Sequence, residues 1–493
     1  MSGPRTTPPD AAHRALALEL DAALANDPLV DELAFVPSAK MADLFGPNAR
    51  THPPGAVVSA AVPGAFALVE HKLAVAVPAL APLHAFAREA LRRADAADFH
   101  RTENRNENEN ENERGARDVG VDPDTRADAL RLLLLVNGDH TTAWNRRKRR
   151  LIVNCAAVDA ADADAADAQT KNEKTTATGN ASGDKKKLVS AELAFCALAL
   201  SKFPKAQAAW AHRRWVMCAL DGDGDSRKRH ETVPSQARFA SESEVAGAAC
   251  ARKRLNYAAW AHRRWCALGR RGGALAAAGA LREDVSLFDA ELERTKRFVR
   301  VNVSDYCGLH YRQAVLTRRA ERAAPPDWAD EAELTSSLIN RFPGREALWA
   351  HRRFVFDARL RGTANDTKEA LLAEELAFAD CFVQKRAGSE DGDRGNEKDA
   401  TPRTVHILHP SWAEHPAAEQ ARFAAAHALW ALEAARRAGV RGAVGAVGAA
   451  RRAAAAEALA AAWPWGAAAT RGMRIARVGG GASGDAGESA MSA

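Results

Sequence analysis

The sequence has few cysteines, and none of them lies at the close spacing that structural metal sites use. The chain of 493 residues contains seven cysteines, an odd number, and no Cys-x-x-Cys pair. Neither a disulfide framework nor a zinc site is therefore indicated. We expect reduced thiols, a cytoplasmic location and no metal bound by this chain itself.

The sequence also lacks a long uncharged segment, and we do not expect a targeting signal in it. Its longest run without Lys, Arg, Asp or Glu, residues 51–69, contains three prolines, so a transmembrane helix is not expected. No basic region followed by an apolar run opens the sequence, which disfavours a secretory signal. The terminal ESAMSA has no cysteine, so we do not expect this chain to be prenylated there.

Neither sign of charge dominates. The chain has 69 basic and 63 acidic side chains, a formal net charge of +6. A nucleic-acid-binding protein, an alternative that the Trp and Arg content raises, would need a continuous basic stripe. The near balance of charge argues against that class. The 47% of hydrophobic residues is enough for a sizeable core in one to three domains.

The sequence contains instead a repeated string. AAWAHRRW occurs at 208–215 and at 258–265, and LWAHRRF follows at 348–354. The shared kernel is Trp-x-x-Arg, and five copies align if a leucine is accepted at the first position of the fourth. Their residues are Trp144 and Arg147, Trp210 and Arg213, Trp260 and Arg263, Leu309 and Arg312, and Trp349 and Arg352.

The spacing of the kernels predicts stacked helical hairpins. Each kernel follows an amphipathic pattern and a helix-stop signal such as Asn137-Gly138 or Pro343-Gly344. The intervals are 66 (144 to 210), 50 (210 to 260), 49 (260 to 309) and 40 (309 to 349) residues. Typical hairpin repeats are about 34–47 residues long, so we interpret the excess as insertions. The predicted fold is all-α, a superhelical solenoid of hairpins.

The composition divides the chain further. We expect a helical or irregular N-terminal segment (1–100), a low-complexity linker (101–120), five hairpins (121–360) and C-terminal helices (361–436). Polar stretches predict insertions at 156–187, 221–243 and 269–284, and a second linker at 387–404. The Ala- and Gly-rich tail, 437–493, is expected to be disordered.

The kernel residues are expected to pack hairpins together. Residues i and i+3 share a helix face, so each Trp and its Arg point at the same neighbour. The ring would fill the space between hairpins, and the guanidinium would bind carbonyl groups at the end of a neighbouring helix. The second arginines, Arg214, Arg264 and Arg353, lie further round the helix and are expected to face solvent or a partner.

These repeats resemble those of the protein prenyltransferase alpha subunits over residues 120–360, with a divergent member of that family the most similar. The resemblance rests on Trp-x-His-Arg-Arg, found three times, and on the flanking FPK and NY. It implies a right-handed superhelix similar to tetratricopeptide repeats, wrapped around a beta subunit that holds zinc and the isoprenoid pocket. The reaction implied is transfer from geranylgeranyl diphosphate to a cysteine of a protein substrate, with a Rab-type beta subunit.

The resemblance also implies site residues. The family's lysine that faces the diphosphate corresponds to Lys205, and its Asn-Tyr pair on the diphosphate side corresponds to Asn256 and Tyr257. An ammonium group there would stabilise charge on the departing diphosphate. A tyrosine of the family is replaced by Gln207. A different hypothesis is a scaffold that binds a partner without chemistry, as solenoids often do.

Overall fold

The chain folds into two compact units, Met1–Arg282 and Glu283–Ala493. The structure is a computed structural model that describes residues 11–45, 53–103, 127–171, 181–220, 236–269, 285–322, 327–387 and 416–462. Within these ranges the chain is predominantly helical, as the all-α class predicts, and no helix there is both long and apolar enough to cross a membrane.

The first part of unit 1 combines helices with a small sheet. Its elements are α1 (Ala11–Asn26), β1 (Glu32–Val36), α2 (Ser38–Phe45), β2 (Val57–Val58), β3 (Phe66–Val69), β4 (Lys72–Ala76) and α3 (Leu80–Glu103). The strand order is β1-β4-β3-β2. β1 and β4 are parallel, whereas β4, β3 and β2 are antiparallel in turn.

This sheet lies where the sequence was expected to be helical or irregular. Strands of two to five residues are too short for periodicity to separate them from helix or loop. The β3–β4 turn also lacks the usual glycine signal. Glu70 and His71 have φ values of 46° and 64°, the left-handed conformations that a two-residue turn needs. His71 Nδ1 lies 2.9 Å from the Asp27 carboxylate, a contact that holds the strained turn.

Unit 1 continues with three helical hairpins. They consist of α4 (Ala129–Val136) with α5 (Thr141–Lys171), α6 (Ala181–Lys202) with α7 (Gln207–Leu220), and α8 (Gln236–Arg252) with α9 (Tyr257–Leu268). Asp128 caps the first of these helices by accepting a hydrogen bond from Arg131 N, and Asn256 caps α9 by accepting one from Ala259 N.

Unit 2 contains three more hairpins and a final helix. They are α10 (Val285–Val301) with α11 (Tyr306–Arg322), α12 (Trp328–Arg341) with α13 (Glu346–Gly362), and α14 (Lys368–Ala387) with α15 (Pro416–Arg437). The last pair is a sixth hairpin, which the kernel search missed because Ala425 and Ala428 stand where the kernel has Trp and Arg. α16 (Gly445–Ala462) packs on α15.

Several segments expected to be insertions or tail are helical. Residues 156–171 continue α5, 181–187 begin α6, 236–243 begin α8 and 445–462 form α16. Alanine explains the difference, because it sustains a helix in segments that have no amphipathic pattern. Residues 172–180, 221–235 and 270–284 of the insertions, 463–493 of the tail, almost all of the 387–404 linker and residues 104–120 of the first linker lie outside the described residues.

The core of unit 2 is built around one kernel tryptophan. Trp349 is 1% exposed and belongs to a cluster with side chains from α10 to α15. Its ring meets Phe382 edge to face at a centroid distance of 5.6 Å. Aromatic side chains buried in this way contribute both area and specific ring contacts.

Replacing this ring should destabilise unit 2 strongly. We expect Trp349→Ala to lower the free energy of unfolding by about 3–5 kcal/mol, the cost of a large cavity. Denaturant unfolding followed by circular dichroism measures the change. Tyr306→Ala is the matched control, because Tyr306 is 59% exposed in the same unit and its loss should cost no more than about 0.5 kcal/mol. Equal melting temperatures for the two variants would contradict the packing role of Trp349.

Candidate functional site

Charged side chains join consecutive hairpins at buried positions. We call the arrangement a clamp: an arginine on the second helix of one hairpin, a glutamate on the first helix of the next, and a histidine on the second helix of that next hairpin. Four clamps are described. They are Arg147–Glu192–His212, Arg213–Glu242–His262, Arg312–Glu331–His351 and Arg352–Glu375–His427.

The second clamp shows the geometry. Arg213 donates from Nε to Glu242 Oε2 at 2.7 Å and from Nη2 to Oε1 at 2.6 Å. His262 Nε2 donates to Glu242 Oε2 at 2.8 Å. All three side chains are at most 3% exposed. The bidentate fork fixes the distance and the angle between α7 and α8, because both N–H bonds must align with the carboxylate plane.

The other three clamps repeat this pattern, with donor–acceptor distances of 2.5–2.9 Å. In three of the four clamps the glutamate precedes its histidine by 20 residues. In the last clamp the separation is 52 residues, because a longer segment connects α14 to α15. A search for Glu followed 20 residues later by His would have found the clamp in the sequence.

Each arginine also binds its own hairpin. Arg213 Nη1 donates to the Leu193 carbonyl at 2.6 Å, and Arg263 Nη1 to the Ser243 carbonyl at 2.9 Å, in both cases 20 residues earlier. Arg312 makes the same contact with Leu292. One guanidinium therefore links three helices, which its five donors allow.

The kernel tryptophans pack on the same histidines. The ring centroids of Trp144 and His212 are 4.7 Å apart, those of Trp210 and His262 4.8 Å apart. Trp349 and His427 repeat the contact at 5.3 Å. Because Trp and Arg are three residues apart on one helix face, both reach the next hairpin, one through its histidine and the other through its glutamate.

The fourth repeat keeps this contact with different chemistry. Tyr311 stands at the histidine position, and its hydroxyl donates to Glu291 Oε1 at 2.6 Å, again over 20 residues. Leu309 replaces the tryptophan and is buried. The copy that had drifted in sequence therefore retains the bond between its two helices.

The clamp glutamates are ionised. Burial opposes the charge on Glu242, but the hydrogen bond from His262 and the charge of Arg213 outweigh it and lower the pKa of Glu242 to about 2. For Glu331, burial is likewise outweighed by Arg312 and His351, which lower its pKa to about 2. A buried carboxylate stays charged only when partners compensate its lost hydration in this way.

Three of the clamp histidines are neutral. Burial lowers the pKa values of His212, His262 and His427, and the adjacent glutamates offset only part of that effect. Nε2 carries the proton that each donates to glutamate. Nδ1 of these three rings has no hydrogen-bond partner in the described residues, so a second proton would be buried without an acceptor.

Two clamps bring a cysteine close enough to raise the question of a metal. The possible ligand atoms of Glu192, Cys196 and His212 lie within 4.8 Å of one another, as do those of Glu242, His262 and Cys266. These side chains suit zinc. However, a guanidinium already binds each carboxylate and supplies the positive charge, and burial raises the pKa of both thiols. The arrangement fits a clamp better than a cation site.

The second basic residue of a kernel stacks on the next hairpin. Arg214 lies 5.2 Å from the ring centroid of Trp265, and Arg353 lies 6.0 Å from that of Trp430. Lys148 lies 5.7 Å from Trp215. Arg264 is half-buried. These cation–π contacts place the side chains against the repeat array, whereas the sequence analysis expected them to face solvent or a partner.

The predicted diphosphate lysine is exposed. Lys205 lies in the turn between α6 and α7, directly after the buried Pro204. In the described part of the chain no carboxylate contacts its ammonium group. Gln207, the departure from the family pattern, begins α7 and is also exposed.

The predicted Asn-Tyr pair is divided between two roles. Tyr257, the first residue of α9, is 67% exposed. Asn256 is fully buried, and its amide donates to the Pro204 carbonyl at 2.7 Å while its oxygen accepts from Ala259 N. Asn256 therefore ties the turn before α9 to the turn that carries Lys205. Because its amide nitrogen and its amide oxygen both have partners within the chain, Asn256 has a structural role and holds the two turns in place beneath the surface.

Comparisons with known proteins found a family model that matches two of these repeats. A family model described as the protein prenyltransferase alpha subunit repeat matches residues 189–220 and 328–359, the hairpins α6–α7 and α12–α13. Each matched segment contains a clamp glutamate, the histidine 20 residues later and the arginine that follows that histidine. The matches therefore coincide with the clamp residues.

Curated relatives agree with the family model. The chain is 27% identical over 388 residues to "Protein prenyltransferase alpha subunit repeat-containing protein 1" of Danio rerio, which covers 64% of this chain and 80% of that protein. It is 29% identical over 284 residues to the Homo sapiens protein of the same name, covering 49% of this chain and 60% of the relative. The chain thus spans about three fifths of the human relative.

Removing one carboxylate should show what a clamp contributes. We expect Glu242→Ala to lower the free energy of unfolding of unit 1 by about 3–5 kcal/mol, because Arg213 is left buried and unpaired. Glu244→Ala is the matched control, an exposed glutamate two residues away. Chemical denaturation measures both variants. If they lose the same small amount of stability, the clamp does not hold the hairpins together.

The clamps should also make the fold sensitive to acid. In the folded state the pKa values of His212, His262 and His427 lie below the unfolded value of about 6.5. As the pH falls, the unfolded chain therefore binds protons before the folded chain does, and the free energy of unfolding decreases below about pH 6.5. The glutamates add a second loss, from their unfolded value of about 4.5 down towards 2. Melting temperatures from pH 8 to pH 4 test this. A flat profile between pH 7 and pH 5 would show that the histidines are not buried neutral.

Proposed function

We propose that this chain, which belongs among the prenyltransferase alpha-subunit repeat proteins, is the alpha subunit of a heterodimeric protein prenyltransferase. Its partner would be a beta subunit of the Rab geranylgeranyltransferase type, which would hold the zinc and the isoprenoid. The reaction would transfer a geranylgeranyl group from its diphosphate to a cysteine thiol of a protein substrate in the cytoplasm. The observation that carries the proposal is that Lys205 is exposed in a turn within a matched repeat.

The chemistry that this chain would supply is electrostatic. As the thiolate sulfur attacks the allylic carbon, the carbon–sulfur bond forms and the carbon–oxygen bond breaks, so negative charge builds up on the diphosphate that leaves. An ammonium group without a carboxylate partner can stabilise that charge more in the transition state than in the ground state. Lys205 meets this requirement, since its charge is exposed and unneutralised in the described structure.

Tyr257 would contribute from the next turn. Its backbone neighbour Asn256 is bonded to the Pro204 carbonyl, so the phenol of Tyr257 and the ammonium of Lys205 extend from two turns that are fixed to each other. The tyrosine hydroxyl can donate a hydrogen bond to a diphosphate oxygen.

A second candidate function is a scaffold that binds a protein partner without chemistry. The position of Asn256 favours the scaffold. This residue was expected on the diphosphate side, but its hydrogen bonds to the Pro204 carbonyl and from Ala259 N are enough to explain why it is an asparagine. Under this alternative Lys205 is a solvated turn lysine and replacing it changes nothing measurable.

The two candidates differ in the effect of Lys205→Ala. We expect the variant to assemble normally with the beta subunit but to transfer labelled geranylgeranyl groups about 10²-fold more slowly or worse, the usual cost of losing one electrostatic stabiliser. Co-expression with the Rab-type beta subunit, size exclusion and a transfer assay provide the measurement. Lys186→Ala, an exposed lysine on α6, is the control and should keep full activity.

The outcomes separate the two candidates and test the role of Lys205. Transfer by the wild-type complex with loss in Lys205→Ala supports the enzyme subunit and the role of the lysine. Transfer that is unchanged in Lys205→Ala removes this residue from the mechanism. Absence of a complex with the beta subunit favours the scaffold.

A further inference from the structure

The turns around Lys205 hold more positive charge than one lysine. The α6–α7 turn and the α8–α9 turn are joined by the hydrogen bond from Asn256 Nδ2 to the Pro204 carbonyl, at 2.7 Å. The residues that flank this bond include five cations. They are Lys202, Lys205, Arg252, Lys253 and Arg254.

Most of this charge has no counter-charge. Arg252 pairs with Glu32 of β1, with Nη2 at 3.0 Å from Oε1. Lys202 lies over the ring of Phe35, 4.1 Å from its centroid, and burial together with the charge of Lys253 lowers its pKa. Among residues whose positions are described, no carboxylate pairs with Lys202, Lys205, Lys253 or Arg254.

The ends of helices do not account for so many cations. α6 ends at Lys202 and α8 at Arg252, and a helix C-terminus carries the equivalent of about half a negative charge. Two such helix ends therefore offset about one of the four positive charges that have no carboxylate partner. The remaining charge must be balanced by solvent ions or by an anionic ligand.

The same turn exposes apolar surface. Leu255 is 40% exposed and has a φ of 55°, a left-handed conformation that non-glycine residues rarely adopt. Tyr257 follows it and is 67% exposed. Arginine and tyrosine side chains are enriched at protein-binding surfaces, where they combine apolar area with hydrogen bonds.

We propose that these residues form a binding surface for an acidic, extended segment of a protein. This basic turn surface consists of Lys202, Lys253, Arg254, Leu255 and Tyr257. Carboxylates of the segment would pair with Lys253 and Arg254, and an apolar side chain would pack on Leu255 and Tyr257. The inference rests on the proposed function in one respect, since it takes the segment to belong to the protein that receives the isoprenoid.

The arrangement favours a peptide over other anions. Its cations are spread over two turns and alternate with apolar side chains. The surface is therefore larger than a single phosphate group can contact. A flat anionic membrane would also meet exposed carboxylates next to the surface, Glu32 beside Arg252 and Asp31 beside Lys72. A narrow extended chain can pass these carboxylates, whereas a bilayer would be repelled by them.

Binding to the full-length chain tests the surface without any transfer reaction. The probe is a fluorescently labelled peptide of alternating glutamate and leucine, and fluorescence anisotropy measures its affinity. We expect Lys253→Glu/Arg254→Glu to weaken binding about tenfold or more, since two attractive charge pairs become repulsive. Arg149→Glu/Lys186→Glu makes the same change in net charge at exposed positions on α5 and α6 and should bind like the wild type.

Four results would overturn the inference. Equal weakening in both double variants would mean that the overall charge of the protein attracts the peptide. A matching peptide with glutamine in place of glutamate that binds equally well would exclude charge recognition. If inorganic diphosphate displaces the peptide completely and Lys205→Ala loses the same peptide affinity, the peptide binds at the diphosphate site. Displacement of the peptide by phosphatidylserine vesicles would indicate a membrane-binding surface.

A kinetic measurement separates this inference from the proposed function. In an active complex, Lys253→Glu/Arg254→Glu should raise KM for an acceptor protein with an acidic segment, with no such rise for a neutral acceptor. An equal rise for both acceptors contradicts the assignment to the acceptor. If no transfer is found but the acidic peptide binds as described, the surface stands and the proposed function fails.

Discussion

The bidentate bond from an arginine to a buried glutamate of the next hairpin is the interaction on which the repeats depend. An apolar contact between helices tolerates sliding, but a planar fork on a carboxylate permits one geometry. Arg213 meets Glu242 in this way, and its remaining donor holds the carbonyl of Leu193 in its own hairpin. Each complete clamp thus fixes the register of three helices with one side chain.

Burying these ions has a cost that clarifies what they do. Removing two charges from water costs several kcal/mol, and the ion pair regains that amount only with good geometry and further hydrogen bonds. The clamp meets this condition through the histidine, whose Nε2–H satisfies a further position on the carboxylate. The net stability gained is therefore modest, and the larger effect is that hairpins packed in a wrong register would leave a buried charge unpaired.

The sequence predicted the arginine half of this interaction but not the glutamate half. Trp and Arg recur in one short string, so self-comparison finds them. Glu192, Glu242, Glu331 and Glu375 have no sequence string common to all four, and a glutamate on an amphipathic helix resembles an exposed residue in the sequence. The sheet of β1 to β4 was missed for a different reason, since strands of two to five residues show too few alternations to be separated from helix or loop. Lys205, Asn256 and Tyr257 came from family resemblance, which named the positions without separating the buried residue from the exposed ones.

The packing network extends to the carbonyl before Lys205. Pro204 O accepts a hydrogen bond from Trp210 Nε1 at 2.9 Å and another from Asn256 Nδ2 at 2.7 Å. Trp210 in turn packs against His262, which donates a hydrogen bond to Glu242, the carboxylate that Arg213 also binds. The position of the lysine backbone is thus set by the contacts that align the second and third hairpins. Because the turn has two donors on one carbonyl, Lys205 and the basic turn surface keep a fixed relation to each other, as a site built from two adjacent turns requires.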